Sequence, residues 1–137
     1  MKLDINDNDE KTSLSNVFLD DTREPINAYN QTFDKIYKDC KWFVVKDYNS
    51  FIDYVTDVFK LEKKLPKIFS FDHNLADEHY QSEVFTYDSY IEKTGYHCAL
   101  WLKKFCDNNK IDYPEIYSHS ASPQGVENIL NVFYSEV

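Results

Sequence analysis

Lys67-Ile68-Phe69-Ser70-Phe71-Asp72-His73-Asn74-Leu75 joins an apolar run directly to an aspartate, a histidine and an asparagine. Pro66 sets the run off from what precedes it, because the residue before a proline is pushed out of helical geometry. A short run that is apolar at successive positions suits a strand buried on both faces, the kind found in parallel sheets. Such sheets bind ligands outside the carboxyl ends of their strands, so the polar residues stand where a site would be built. The rest of the chain shows whether other strands end in the same way.

Val17-Phe18-Leu19 is a second apolar run, and it stops at Asp20-Asp21. After Pro25, the spacing of Ile26, Tyr29, Phe33, Ile36 and Tyr37 predicts a helix, and Trp42-Phe43-Val44-Val45 a strand. Asn49 or Ser50 is placed to cap a helix whose apolar stripe is Phe51, Ile52, Val55, Val58 and Phe59. Another helix runs from Thr94 through Cys98, Leu102, Phe105 and Cys106 to Asp107, and Pro114 precedes Glu115-Ile116-Tyr117-Ser118-His119. Ser122-Pro123 opens a last helix with Val126, Ile129, Leu130 and Phe133 on one face. Strands alternating with amphipathic helices predict an α/β domain: a parallel sheet of about four strands with helices on both faces.

At 137 residues and 42% hydrophobic, the chain has material for one domain, expected over residues 16–137, behind a flexible acidic tail over residues 1–15. A net charge of −9 opposes binding along duplex nucleic acid, which needs cations to displace counterions. A small phosphorylated ligand stays open, because a metal ion or a helix N-terminus can hold one without net basicity. Cys40, Cys98 and Cys106 form no CxxC pair and no zinc spacing, which favours reduced, buried thiols. No run is long and apolar enough for a membrane span, and the start is acidic rather than signal-like, so a cytoplasmic protein is expected.

Three strand ends carry the polar clusters: Asp20-Asp21, Asp72-His73-Asn74 and Ser118-His119-Ser120. Asp20, Asp21 and Asp72 together suit a hard cation such as Mg²⁺, with Mn²⁺ an alternative; any one of them alone reads equally as a cap or loop residue. His73 and His119 are candidate general acid and base, since imidazole titrates near neutrality. Taken singly each is more often structural, and it is their shared placement that favours chemistry. His79 and His97 lack that placement and are expected to be surface or packing residues.

Gly95 and Gly125 open helices on the same edge, beside the caps Thr94 and Ser122, and these four are candidate phosphate-binding residues. Two ordinarily capped helices are an equal alternative. No GxGxxG or Walker loop is present. Residues 76–92, ADEHYQSEVFTYDSYIE, are long for a loop and suggest a lid. Tyr80, Phe85, Tyr87 and Tyr90 within it could stack on a base, although packing over the sheet edge is the simpler reading.

FLDDTR (18–23), SFDHNL (70–75), TGYHCALWL (94–102) and HSASPQG (119–125), in that order, resemble the cyclic-phosphate-processing receiver-like family over about residues 16–130. The resemblance implies a flavodoxin-like receiver fold, an acidic pocket of Asp20, Asp21 and Asp72, functional His73 and His119, and a last motif containing Ser120 and Gly125. Where the family pattern has Asp this chain has Asn74, and where it has Asn this chain has Ser122. A phosphoacceptor receiver would carry a lysine after Ile116-Tyr117-Ser118; here His119 and Ser120 follow. The implied activity is therefore metal-assisted hydrolysis of a small cyclic phosphate, such as a cyclic nucleotide or a 2′,3′-cyclic RNA end. His73, His119 and Ser120 are its candidate catalytic residues. The alternatives are a non-catalytic sensor or sequestering protein for such a ligand, and an interaction module on a receiver scaffold.

Overall fold

A computed structural model describes residues 15–82 and 84–134. Its elements are β1 (Asn16–Leu19), α1 (Pro25–Thr32), α2 (Ile36–Asp39), β2 (Trp42–Val45), α3 (Tyr48–Glu62), β3 (Ile68–Phe71), α4 (Gly95–Asn109), β4 (Glu115–Ser118) and α5 (Pro123–Tyr134). The four strands form one parallel sheet in the order β2-β1-β3-β4. The chain thus moves outward from β1 to β2, crosses back to β3, and continues to β4. The reversal puts a topological switch between β1 and β3, where connections leave in opposite directions and open a crevice.

Alternation along the strands supplies two cores. Val17 and Leu19 of β1 and Phe69 and Phe71 of β3 join Phe51, Val55, Leu102 and Ile129 in the larger one, under α3, α4 and α5. Phe18 points the other way, into a smaller cluster with Ala28, Tyr37 and Trp42 under α1 and α2. Cys98 and Cys106 are buried thiols, as the spacing suggested, whereas Cys40 is only half-buried. No helix among the described residues is long and apolar enough to cross a membrane.

Two local expectations need correction. The helix expected from Ile26 to Tyr37 is two, because Phe33 adopts the left-handed region (φ 62°) and its N–H closes α1 on the Tyr29 carbonyl. The cap of α3 is Asp47, not Asn49 or Ser50: its carboxylate accepts the Ser50 N–H at 2.8 Å, a stronger acceptor one turn earlier. Of the tail expected over residues 1–15, only Ser15 is among the described residues, and it is buried; residues 1–14 lie outside them.

Candidate functional site

Asp20, Asp72 and His119 occupy equivalent positions, each one residue beyond its strand. Their N–H groups extend the sheet ladders, to the carbonyls of Val45 (3.0 Å), Leu19 (2.9 Å) and Phe71 (3.1 Å) respectively. Backbone pairing therefore fixes where the three side chains start. All three are buried, and each offers a ligand atom within 4.8 Å of the others.

Asp20 is the hub. Its Oδ1 accepts the N–H groups of Thr22 (3.0 Å) and Arg23 (2.8 Å), and its Oδ2 accepts Arg23 Nε–H (2.9 Å) and His119 Nε2–H (3.0 Å). Burial opposes ionisation, yet the His119 bond, the two backbone donors and the Arg23 charge hold its pKa down to about 2. Asp72 goes the other way. Burial first, then the Asp20 charge, push it up to about 7 against the pull of Arg23 and the His73 N–H. Two neighbouring carboxylates with one counter-charge between them separate their titrations in this way.

Arg23, the single arginine of the chain, supplies that counter-charge. It reaches Asp72 Oδ1 through Nη2 (3.1 Å) and Gln31 Oε1 through Nη1 (2.7 Å). A guanidinium has five N–H groups, and these contacts with the one to Asp20 engage three of them. Sequence reasoning quoted Arg23 within FLDDTR without assigning it a role; a lone arginine directly after an acidic pair was the available signal.

His119 is fixed from both sides. An ionised carboxylate only accepts, so Nε2 carries the proton toward Asp20, and Nδ1 accepts from Ser70 Oγ (2.8 Å), which in turn accepts from the Tyr37 hydroxyl (2.6 Å). Phe18 lies flat on the ring, with centroids 4.2 Å apart at 8°. Burial lowers the pKa of His119 against the Asp20 interaction, which favours the neutral imidazole. Ser70 explains itself here: a serine inside the apolar run Ile68–Phe71 was legible as an oddity, and it serves this buried chain.

His73 turns away from the acids. Its Nδ1 meets Asn74 Oδ1 and its Nε2 the Tyr87 hydroxyl, both at 2.7 Å, while Phe85 packs on the ring at 4.1 Å. The two glycines explain its confinement. A Cβ on Gly95 would lie 1.7 Å from the Asp72 carbonyl oxygen, and one on Gly125 would lie 2.8 Å from His73 Cβ and Cγ. Both therefore permit close helix packing. Gly95 N–H is already bonded to the His73 carbonyl (2.8 Å), and Thr94 and His97 cap each other at the start of α4. At α5, Ser122 Oγ accepts the Gly125 N–H (3.0 Å), and Ser120 Oγ accepts the Ser122 N–H (3.1 Å), a turn that places Ser120 on the rim.

The segment between β3 and α4 contains two short 3₁₀ turns and is strapped down. Buried His79 accepts the N–H groups of Leu75 and Ala76 on Nδ1 and donates from Nε2 to the Glu92 carbonyl. Glu78 accepts the N–H groups of Ile91 and Glu92.

Asp21 lies in the electrostatic field of Asp20 but outside the group of Asp20, Asp72 and His119 whose ligand atoms lie within 4.8 Å of one another. Its Oδ1 is buried and has no hydrogen-bond partner among the described residues, and burial followed by the Asp20 charge raises its pKa. An unpartnered buried carboxylate oxygen next in sequence to Asp20 is the type of donor a hard divalent cation takes.

Strand order, the switch between β1 and β3, and acids one residue past each of those strands define a receiver-like domain of flavodoxin-like fold. The family model described as "Cyclic-phosphate processing Receiver domain" matches residues 15–135, and the chain belongs to that family. Comparison with curated proteins and with solved structures gives no match.

Proposed function

We propose that the protein hydrolyses a small cyclic phosphate at this rim. The observation that carries the reading is the convergence of Asp20, Asp72 and His119 within 4.8 Å, with Arg23 bridging the two carboxylates. The two remaining N–H groups of Arg23 match the two non-bridging oxygens of a cyclic phosphodiester, a pairing suited to a planar guanidinium. Asp20, held by His119 and two backbone donors, keeps that guanidinium aimed. His119 in this scheme is a positioning residue acting through Asp20, with Ser70 and Tyr37 fixing its tautomer. Ser120 and Ser122, at the turn into α5, border the same edge.

Asp20, Asp21 and Asp72 are the residues that would hold Mg²⁺ or Mn²⁺; bound there, the ion supplies Lewis-acid polarisation of a phosphoryl oxygen. In the overall reaction water adds to phosphorus, one ring P–O bond breaks, and the proton of the water ends on the departing oxygen, leaving a phosphomonoester and a free hydroxyl.

The test is turnover of cyclic mono- and dinucleotides and of 2′,3′-cyclic RNA ends by the wild type, Arg23→Ala and His119→Ala. Loss of the clamp is expected to slow turnover by about a hundredfold or more. Equal rates in all three proteins would remove both residues from the mechanism.

A second reading, a sensor that holds the ligand without cleaving it, is favoured by one observation: both ring nitrogens of His73 and of His119 are already hydrogen-bonded inside the protein. Calorimetry showing binding while chromatography recovers intact ligand would decide for it.

A further inference from the structure

Beside the acidic centre, between the 3₁₀ turn at Asp77–Tyr80 and the start of α5, lies an open cleft of about 820 Å³. Asn74, Tyr80, Phe85, Ser122 and Gln124 shape it, and no lysine, arginine, aspartate or glutamate is among the described residues that line it. Such walls suit an uncharged, planar, polar group. Burial, then the charges of Asp72, Asp21 and Asp20, raise the pKa of the Tyr80 hydroxyl, so the cleft lies within the field of the acidic centre.

The two walls are joined by one chain of hydrogen bonds. Gln124 Nε2 donates to Asn128 Oδ1 (2.7 Å), and Asn128 Nδ2 donates to the Tyr87 oxygen (2.9 Å). The Tyr87 proton then goes to His73 Nε2, and the proton on His73 Nδ1 goes to Asn74 Oδ1, both at 2.7 Å. Each link sets the direction of the next. The ends of the arch both stand in the cleft: Gln124 is left with Oε1 as an acceptor, and Asn74 with Nδ2 as a donor. Buried His73, which never faces the acids, is what ties the two orientations together.

We propose that this cleft is the subsite for the base of a nucleotide cyclic phosphate whose phosphate sits at Arg23; it rests on the cyclic-phosphate reading above. A nucleobase carries donors beside acceptors on its edge and a flat face for rings such as Tyr80 and Phe85. A peptide amide offers the same donor and acceptor without the face.

Calorimetry on the whole chain tests this with three classes of probe: adenosine and guanosine 2′,3′-cyclic phosphates, ribose 2′,3′-cyclic phosphate, and the two free nucleosides. The base-bearing cyclic phosphates are expected to bind at least about tenfold tighter than the ribose compound. Tyr80→Ala and Gln124→Ala, both at exposed positions, are expected to shrink that ratio. Equal affinity with and without the base, or a ratio unchanged in both variants, overturns the subsite and leaves the phosphate reading standing. Nucleosides that bind as well as their cyclic phosphates overturn the phosphate reading and keep the cleft. No binding by any probe overturns both.

Discussion

Asp72 sits beside Asp20 with one guanidinium between them, and the pH dependence of stability follows from that crowding. Its ordinary value is 3.8 and its folded value is about 7, raised by burial and then by the Asp20 charge. Between those values the folded protein holds a proton that the unfolded chain has released, so this group's contribution falls as pH rises through the window. Asp20 has the opposite sign: its lowered pKa stabilises the fold above 3.8, and that contribution is lost as pH falls toward about 2. Asparagine at position 72 cannot ionise and still accepts the His73 N–H. In the presence of a chelator, Asp72→Asn is expected to gain stability over the wild type as pH rises from 4 to 7, by a few kcal/mol at the most, then level off. Thermal unfolding across that range checks it, and a gain independent of pH would refute it.

The Tyr37–Ser70–His119 chain yields a second residue-scale prediction. Ser70→Ala strands the His119 Nδ1 acceptor and the Tyr37 hydroxyl in a buried site, at a cost of about 1–3 kcal/mol. In the double variant with Tyr37→Phe one of those orphans is gone. The combined loss measured by urea unfolding should therefore be smaller than the sum of the single losses, and additivity would break the chain as described. None of this was legible in sequence beyond the oddity of Ser70. A residue one step past a strand end is placed by periodicity, but which way its side chain turns is decided by neighbours far along the chain. His119 stands one residue past β4 and His73 two past β3, so alternation already sends them to opposite sides; α5 then packs on His73 at Gly125, while Phe18 and Ser70 hold His119.

At the scale of elements, strands were the easiest to find, because β1, β2 and β3 lie inside the sheet or under helices and read as mainly apolar runs. Helix ends were harder. Chains commonly mark a helix C-terminus with glycine, yet here Phe33, Lys63 and Lys110 take the left-handed position, with φ of 62°, 62° and 58°. The two glycines are instead reserved for close approach of α4 and α5 to β3 and His73. Two substitutions of opposite sign follow. Lys63→Gly relieves the Cβ clash of the left-handed conformation and is expected to stabilise by a few tenths to about 1 kcal/mol, part of it offset by the freer unfolded chain. Gly95→Ala forces α4 away from the Asp72 carbonyl and is expected to cost about 3 kcal/mol or more. Denaturant midpoints measured side by side separate the two, and a Gly95→Ala protein as stable as the wild type would show that α4 does not need its present distance from β3.

For the molecule as a whole, the sheet order brings acids from residues 20, 21 and 72 to one rim of a chain that already carries a net charge of −9. Among the described residues Arg23 is the single cation paired with them, so the centre holds more negative than positive charge once its carboxylates are ionised. A divalent ion that binds the folded centre, and not the unfolded chain, stabilises by an amount that grows with the logarithm of its concentration above Kd. Millimolar MgCl₂ is therefore expected to raise the Tm at neutral pH by several degrees, and NaCl at matched ionic strength to do so much less, because general screening acts on the whole surface while the proposed coordination would act on the rim acids alone. Asp21→Asn removes a charge and leaves an amide where the orphaned oxygen stands, and should cut the magnesium response while barely moving the response to NaCl. If Mg²⁺ and NaCl shift the wild type equally at matched ionic strength, the acids at the rim act on the fold through their charge alone, and the metal-assisted part of the proposed function falls with that result.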